Sequence, residues 1–166
     1  MAVRAAITKV NERVDVDLKW PNDVLIAGKK VCGILTEMNA EATRVRYVVV
    51  GMGINVNHAS FPKELEGAAT SLRLATGNEW SRVEVTAALL KSLDREYRSL
   101  SDDTGAREAI LRRFQEHSSS VRGRKVGIEE NGGIEGVTEG LDARGFLQVR
   151  TAEGLKTVLS GTMKME

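Results

Sequence analysis

Hydrophobic and polar positions change period several times along this chain, and each change marks an element. Val3, Ala6, Ile7 and Val10 recur at helical spacing, so residues 2–10 are predicted as a short amphipathic helix. Val14 to Leu18 then alternates strictly, as a half-buried strand does. Trp20-Pro21-Asn22-Asp23 reads as a turn, because proline fixes φ and Asn and Asp favour turn positions. Val24-Leu25-Ile26, Ala27-Gly28 and Lys30 to Met38 read as a hairpin. A polar turn over residues 39–43 precedes a strand from Arg44 to Val50. Gly51-Met52-Gly53 is expected to interrupt that strand, and Ile54 to Asn57 to finish it. Glycine inside a strand marks a bulge or the close approach of another backbone or a ligand.

Residues 58–80 lack a period and read as a surface excursion that includes Thr70-Ser71-Leu72. Ser81 with Glu84 forms a capping box that opens a helix to about Leu100, with Val85, Leu89, Leu93 and Tyr97 expected along its inner side. Asp102-Asp103-Thr104 separates it from a second helix over about 105–117, with Ile110, Leu111 and Phe114 inward. From Ser118 the texture changes to serine, glycine and short β runs at Lys125–Glu129, Ile134–Leu141, Phe146–Arg150 and Leu155–Ser160. Turns at Asn131-Gly132-Gly133, Asp142 to Gly145 and Ala152-Glu153-Gly154 join them. Short strands at this density suggest a small barrel of SH3-like type. The expected fold class is α+β: residues 1–118 form a mixed sheet covered by helices, and residues 119–166 the barrel.

Composition narrows the function classes. Across 166 residues, 24 basic side chains face 23 acidic ones, a net charge of +1 that offers no field for nucleic acid or a membrane surface. No apolar stretch approaches the roughly 20 residues needed to span a bilayer, and MAVRAAITKV has no signal-peptide centre. Single-cysteine usage suits a reducing cytoplasm, the expected location. Cys32 sits within VCGIL and reads as a small buried hydrophobe.

The polar ends of the apolar runs carry the candidate chemistry. Lys19 and Lys30 are point charges that fit either an anion site or ordinary solvated strand edges. Asp23 can orient a metal or accept a proton from an amine, and it can equally cap its own turn, as can Asn22. Asn55 offers an amide that matches a purine edge, or simply ends a strand. Gly51-x-Gly53 lacks the third glycine and the following helix of a dinucleotide fingerprint. Trp20 reads as a packing residue beside its proline. Arg122-Gly123-Arg124-Lys125 reads as a basic linker or an anion contact. His58 and His117 have no metal-ligand spacing, so no metal-binding residues are expected.

Taken together, KWPND, GKKVCGILTE and VVVGMGINVN, in this order and at these gaps, resemble the catalytic domain of biotin–protein ligases. The later helices and terminal β segment follow the same order, so the resemblance spans the chain. It implies a fold like that of lipoate ligases and class II aminoacyl-tRNA synthetases. It also implies an activity: biotinyl-5′-AMP is made from biotin and ATP with Mg2+, and the biotinyl group then passes to a lysine of a carboxyl-carrier domain, as in acetyl-CoA carboxylase. By position, Lys30 matches the lysine that contacts the biotin carboxylate and the α-phosphate, and Asp23 the aspartate that orients or deprotonates the acceptor amine. Lys19 and Asn22 match the nucleotide and metal side of the same turn, and Asn55 an adenine-contacting asparagine. Gly33 matches a glycine that leaves room for ligand. Gly51 and Gly53 match a strand of the ligand pocket that in some relatives lies near a dimer surface, which makes a homodimer one expected assembly.

The chain also departs from the family. Relatives carry an upstream glycine- and arginine-rich loop and further strands around biotin, which residues 1–18 do not replace. Where many relatives end in a Gly-Glu/Asp-x-Ser-Leu-Arg-like segment, this chain reads Ser160 to Glu166 as SGTMKME. The expectation is therefore the C-terminal portion of a biotin ligase, inactive by itself if the missing loop is essential. The alternatives are a lipoate-type acyl ligase, or an inactive fragment serving as a binding or oligomerisation module. An unpaired sheet edge would make the isolated chain oligomeric or only marginally stable.

Overall fold

The computed structural model describes residues 1–102, 105–129 and 133–165. Asp103, Thr104, Asn131, Gly132 and Glu166, which belong to predicted turns and the terminal segment, lie outside the described residues. Helix α1 (Ala2–Val10) buries Val3, Ala6 and Ile7, and its last-turn Lys9 complements the helix dipole. Arg4 Nε donates to the Val16 carbonyl at 3.1 Å, tying the helix to strand β1 (Val16–Lys19).

Strand β1 opens an antiparallel sheet of order β1-β2-β3-β4, with β2 at Asp23–Ile26, β3 at Lys29–Glu41 and β4 at Arg44–Ile54. Among described residues the only parallel pairing of this sheet is an isolated bridge between Lys30 and Ala69. The β2–β3 link is a two-residue turn with both residues left-handed, Ala27 at φ 50° and Gly28 at φ 74°, the backbone that matches strand twist in tight hairpins.

Two expectations change here. Strand β3 runs on to Glu41, so the turn shrinks to Ala42-Thr43. Strand β4 runs unbroken through Gly51-Met52-Gly53, neither glycine having positive φ, so these glycines do not interrupt it.

Helix α2 (Leu72–Thr76) is an element the sequence reading passed over. Ser71 Oγ accepts from Leu74 N at 3.0 Å, and Gly77 at φ 75° closes the helix. Thr70, Ser71 and Leu72 are buried, so the excursion returns as part of the fold. Helix α3 (Arg82–Asp102) starts where expected, with Ser81 Oγ accepting from Glu84 N at 3.3 Å. Its inner stripe differs from the expected one. Val85, Ala88 and Ser92 are buried, whereas Tyr97 is 68% exposed. Val85 and Leu89 meet the core as expected, but four-residue steps drift about 40° each on a 3.6-residue helix, so Leu93 and Tyr97 turn off it.

Helix α4 (Ala106–Glu116) is tied to α3 by Arg113, whose two nitrogens reach Glu96 at 3.0 and 2.6 Å. A second antiparallel sheet follows, of order β8-β7-β6-β5-β9. Its strands are β5 (Arg122–Glu129), β6 (Ile134–Leu141), β7 (Leu147–Thr151), β8 (Gly154–Val158) and β9 (Thr162–Met165). Strand β9 falls in the SGTMKME stretch, which had been read only against the family's terminal motif.

Two cores result. Val3, Ile7, Leu18, Val24, Val31, Cys32, Leu72 and Val85 form the first. Val121, Val126, Ile128, Leu147, Val149, Val158 and Met163 form the second, together with Trp20. Phe114 packs against both.

Candidate functional site

Strand pairing decides what faces what. Cys32 pairs with Ile54 and Ile34 with Met52, on the core side of the sheet. Gly33 pairs with Gly53 and Leu35 with Gly51 on the opposite side, where Asp23 lies across from Gly33. An open depression of about 470 Å³ lies along this stretch of β3 and β4, lined by Asn22, Lys30, Gly33, Leu35, Gly51 and Gly53 together with Ile34 and Met52.

Three of its lining residues are glycines. A methyl group at Gly51 or Gly53 would meet nothing closer than 3.8 Å. Neither glycine is required by the chain's own packing or by a positive φ, so the space they leave is open on this face of the sheet. Gly33 has a different reason. A Cβ there would come within 3.0 Å of Lys30 Cε and 3.1 Å of its Nζ. Its bareness lets the Lys30 side chain lie across the strand to Asp23.

Lys30 Nζ stands 2.6 Å from Asp23 Oδ1, with the lysine side chain 46% and the aspartate 22% exposed. Asp23 Oδ1 is enclosed and accepts no well-angled hydrogen bond among described residues, so the ammonium is its main compensation. The Lys30 backbone is held on both sides: its N–H donates to Ala68 O at 2.8 Å, and Thr70 N–H donates to its carbonyl at 2.9 Å. The returning 68–70 segment thus fixes the base of the lysine, while its head lies half exposed against Asp23. A half-exposed charge on a fixed stem, beside a glycine floor, suits an anionic ligand.

The other predicted residues separate. Asn22 lines the depression, but its Nδ2 donates to Ile34 O at 2.8 Å and its carbonyl accepts from Ile34 N at 3.0 Å, which clasps the turn to β3. Asn55 is half-buried, and its Nδ2 donates to Thr70 O at 3.1 Å, outside the depression's lining. Lys19 lies opposite Asp23 in the β1–β2 ladder, also outside the lining.

Cys32 is buried, and burial pushes its thiol up to about 11, with Lys30 drawing it down and Asp23 raising it further. It is a neutral core group, as expected. Arg122 and Arg124 serve local structure, donating to Gln115 Oε1 at 3.3 Å and Ser119 O at 3.0 Å. His58 stacks on Phe61. His117 is half-buried, and burial, then Arg4, holds its imidazole below its ordinary value. It lines a separate cleft of about 480 Å³ with Arg4, Asp15 and Asp17. No group of three or more His, Cys, Asp or Glu able to hold a metal occurs among the described residues.

Comparison with known proteins gives this geometry its setting. Residues 1–55 match the biotin/lipoate A/B protein ligase family, and residues 121–165 match the biotin protein ligase C terminal domain. The biotin protein ligase of Aquifex aeolicus superposes with a TM-score of 0.86 at 31% identity, over 99% of this chain and 71% of that one.

The chain belongs to the biotin protein ligase family.

The Aquifex ligase in complex with biotin and ATP superposes with a TM-score of 0.82, covering 99% of this chain and 67% of that one. Among curated biotin ligases, the bifunctional ligase/repressor BirA of Bacillus spizizenii is 38% identical over 154 residues, 92% of this chain and 47% of its own. The Bacillus subtilis protein of the same name is 36% identical over 99% of this chain and 51% of its own. The chain spans about half the length of these curated relatives.

Three features of this chain escaped the sequence reading. The segment around Ser71 carried a readable signal, a serine N-cap with a glycine six residues on. The clasp of Asn22 to Ile34 and the placing of Trp20 in the second core carried none, because both depend on distant strands.

Proposed function

We propose that this chain supplies the phosphate- and amine-facing side of a biotin–protein ligase site. The observation that supports it most is the Lys30–Asp23 pair, laid over Gly33 at the edge of the glycine floor. A carboxylate and an α-phosphate are both anionic, and a lysine on a fixed stem neutralises the charge that develops as one attacks the other. The biotin carboxylate attacks the α-phosphorus, pyrophosphate leaves, and the mixed anhydride forms. When Lys30 turns to the new anion it releases Asp23, whose carboxylate takes the proton of an acceptor lysine amine. The amine attacks the acyl carbon, the amide forms, and AMP leaves.

Gly33, Gly51 and Gly53 give the ligand room, and Asn22 holds the turn. Lys19 and Asn55 flank this face and are assigned to the nucleotide side. Magnesium would arrive with the nucleotide's phosphates, as it does when a site offers few carboxylates, and would offset charge on pyrophosphate with Asp23 as the protein's acidic group.

The acceptor is a biotin carboxyl-carrier domain, the kind of protein implied by the Paracoccus denitrificans relative, a biotin–[acetyl-CoA-carboxylase] ligase. A lipoate substrate is less well supported, because the second matching segment is specific to biotin ligases. Residues 1–118 and 119–166 are read as two units, each built around its own sheet. No helix of the described residues is long and apolar enough to cross a membrane. The exposed apolar residues of the β3–β4 hairpin call for a covering layer, so the chain is read as working within a larger assembly, either a longer polypeptide or a dimer.

The test is ATP- and biotin-dependent labelling of a carrier domain by the polypeptide containing these residues. Labelling should occur and fall by about 100-fold or more in Lys30→Ala, the scale of losing a transition-state charge partner. Undiminished labelling in that variant would contradict the assignment.

A further inference from the structure

Trp20 lies between Lys19 and the turn that carries Asn22 and Asp23, yet its ring belongs to the other core. It is 5% exposed and packs with Val121, Val126, Ile128, Leu147 and Val149 of the second sheet's core. Its indole Nε1 donates to the Gly145 carbonyl at 3.1 Å, across 125 residues of sequence. An aliphatic residue could fill the same volume, but a buried indole N–H needs a partner, and meeting that need fixes the rotation of the ring.

The acceptor is itself held in place. Asp142 Oδ1 accepts from Arg144 N at 2.8 Å and from Phe146 N at 2.9 Å. Asp142 N donates to Phe146 O, and Gly145 N to Asp142 O, each at 2.9 Å. Gly145 sits at φ 90°, where other residues are strained. Its carbonyl is therefore aimed by a rigid turn. The bond from Phe146 N, ahead of the other causes, holds the Asp142 carboxyl below its ordinary range.

On the other side, Asn22 is clasped to Ile34 of β3. The ends of the Lys19–Asp23 segment lie in the ladders, Lys19 opposite Asp23 and Asp23 opposite Gly33, and between them one side chain ties the turn to each sheet. With the Trp20 tie released the turn gains room to shift, and Asp23 at its end shifts relative to Lys30.

We propose that Trp20 is a positioning residue, through which the 142–146 turn of the second sheet sets the placement of the Lys19–Asp23 turn. The proposal rests on reading that turn as part of the adenylating site. It makes the second sheet a determinant of nucleotide affinity, although none of its residues lines the site depression.

Trp20→Phe keeps an aromatic ring, smaller than the indole, and removes the N–H. Asp142→Ala loosens the acceptor turn at a distance from the site. Gln115→Ala cuts a different tie, in which Gln115 Oε1 accepts from Leu141 N and Arg122, and leaves the Trp20–Gly145 bond and the hydrogen bonds of the 142–146 turn in place. Hydrogen exchange of residues 18–26 and of the Ile34 amide reports position, and calorimetric titration with ATP reports function. Trp20→Phe and Asp142→Ala should each speed exchange in the turn and weaken ATP binding about 2- to 10-fold, the range for losing one hydrogen bond. The double variant should be no weaker than the weaker single, as for groups acting in series. Gln115→Ala should leave both readouts unchanged. The proposal is overturned if turn exchange and ATP affinity in Asp142→Ala match the wild type, or if Gln115→Ala weakens ATP binding as much. Lys30→Ala separates the two ideas: equal ATP affinity in that variant and the wild type counts against the adenylating reading, while turn exchange still scores the role of Trp20.

Discussion

The two sheets use similar residues to opposite ends. In the second, Val126, Ile128, Leu147, Val149, Val158 and Met163 are all at most 2% exposed, so its apolar face is closed, with Trp20 and Phe114 packed into it. In the first, the base of β3 is as well buried, with Val31 and Cys32 at 0% and 1%, but the strand then runs out of its core. Leu35, Met38, Val45, Tyr47, Val48, Val49 and Val50 are 44–63% exposed, along both faces of the same hairpin. β-Branched and aromatic residues prefer strands in both places. Pattern thus tells which residues can be buried, and the layer packed against them decides whether they are.

The largest test of that contrast is stability. Leu147→Ala, in the closed core, should cost about 2–5 kcal/mol in a urea titration. Val49→Ala, on the open hairpin, should stay within about 0.5 kcal/mol. Equal costs would mean that Val49 is covered in solution by another layer.

Gly33→Ala sharpens the same contrast by separating stability from function. Pushing Lys30 off Asp23 breaks a partly exposed pair and leaves Asp23 Oδ1 without its ammonium, at a cost of about 1 kcal/mol after solvent screening. ATP affinity measured by titration should nevertheless fall about tenfold, because the displaced charge is the one that meets the phosphate.

Cys32 marks the buried end of β3. Its pKa in the fold is about 11, above the 9.0 of an unperturbed thiol. The raised value means that the folded chain holds the proton more tightly. Its contribution is therefore intact below pH 9 and lost as pH climbs from 9 through about 11. Denaturant midpoints should decline over that window and flatten there in Cys32→Ala, and iodoacetamide should not label the native thiol at pH 8. The smallest expected effect is at the turn feeding β3. Ala27 is left-handed at φ 50°, so Ala27→Asn should stabilise by up to about 1 kcal/mol, read as a small rise in melting temperature.

Local rules carried much of this molecule. Helix α1, the N-cap at Ser81 and β6 stand where period and capping chemistry place them, since those signals lie within a few residues. The glycines of β4 were read as an interruption because glycine is a weak strand former. They are tolerated because ladder hydrogen bonds on the β3 side hold the strand regardless of side chain. On α3, Tyr97 was assigned inward by a four-residue step that the helix does not keep.

In the site, Lys30, Asp23 and Gly33 were identified through the family resemblance rather than by their own chemistry, which fitted a strand edge equally well. The structure adds the reason they belong together: a bare Gly33 over which the ion pair closes. What stayed illegible was tertiary, namely the clasp of Asn22 to Ile34 and the reach of Trp20 to Gly145, because no local pattern encodes a partner in another sheet.

The central claim is that the Lys30–Asp23 pair and the glycine floor are the anion-binding side of an adenylating site. Titration of the wild-type chain and of Lys30→Ala with a non-hydrolysable biotinyl-adenylate analogue tests it most directly. The account predicts saturable binding to the wild type and at least tenfold weaker binding to the variant, with both equally folded by circular dichroism. Equal affinity in the two would contradict it.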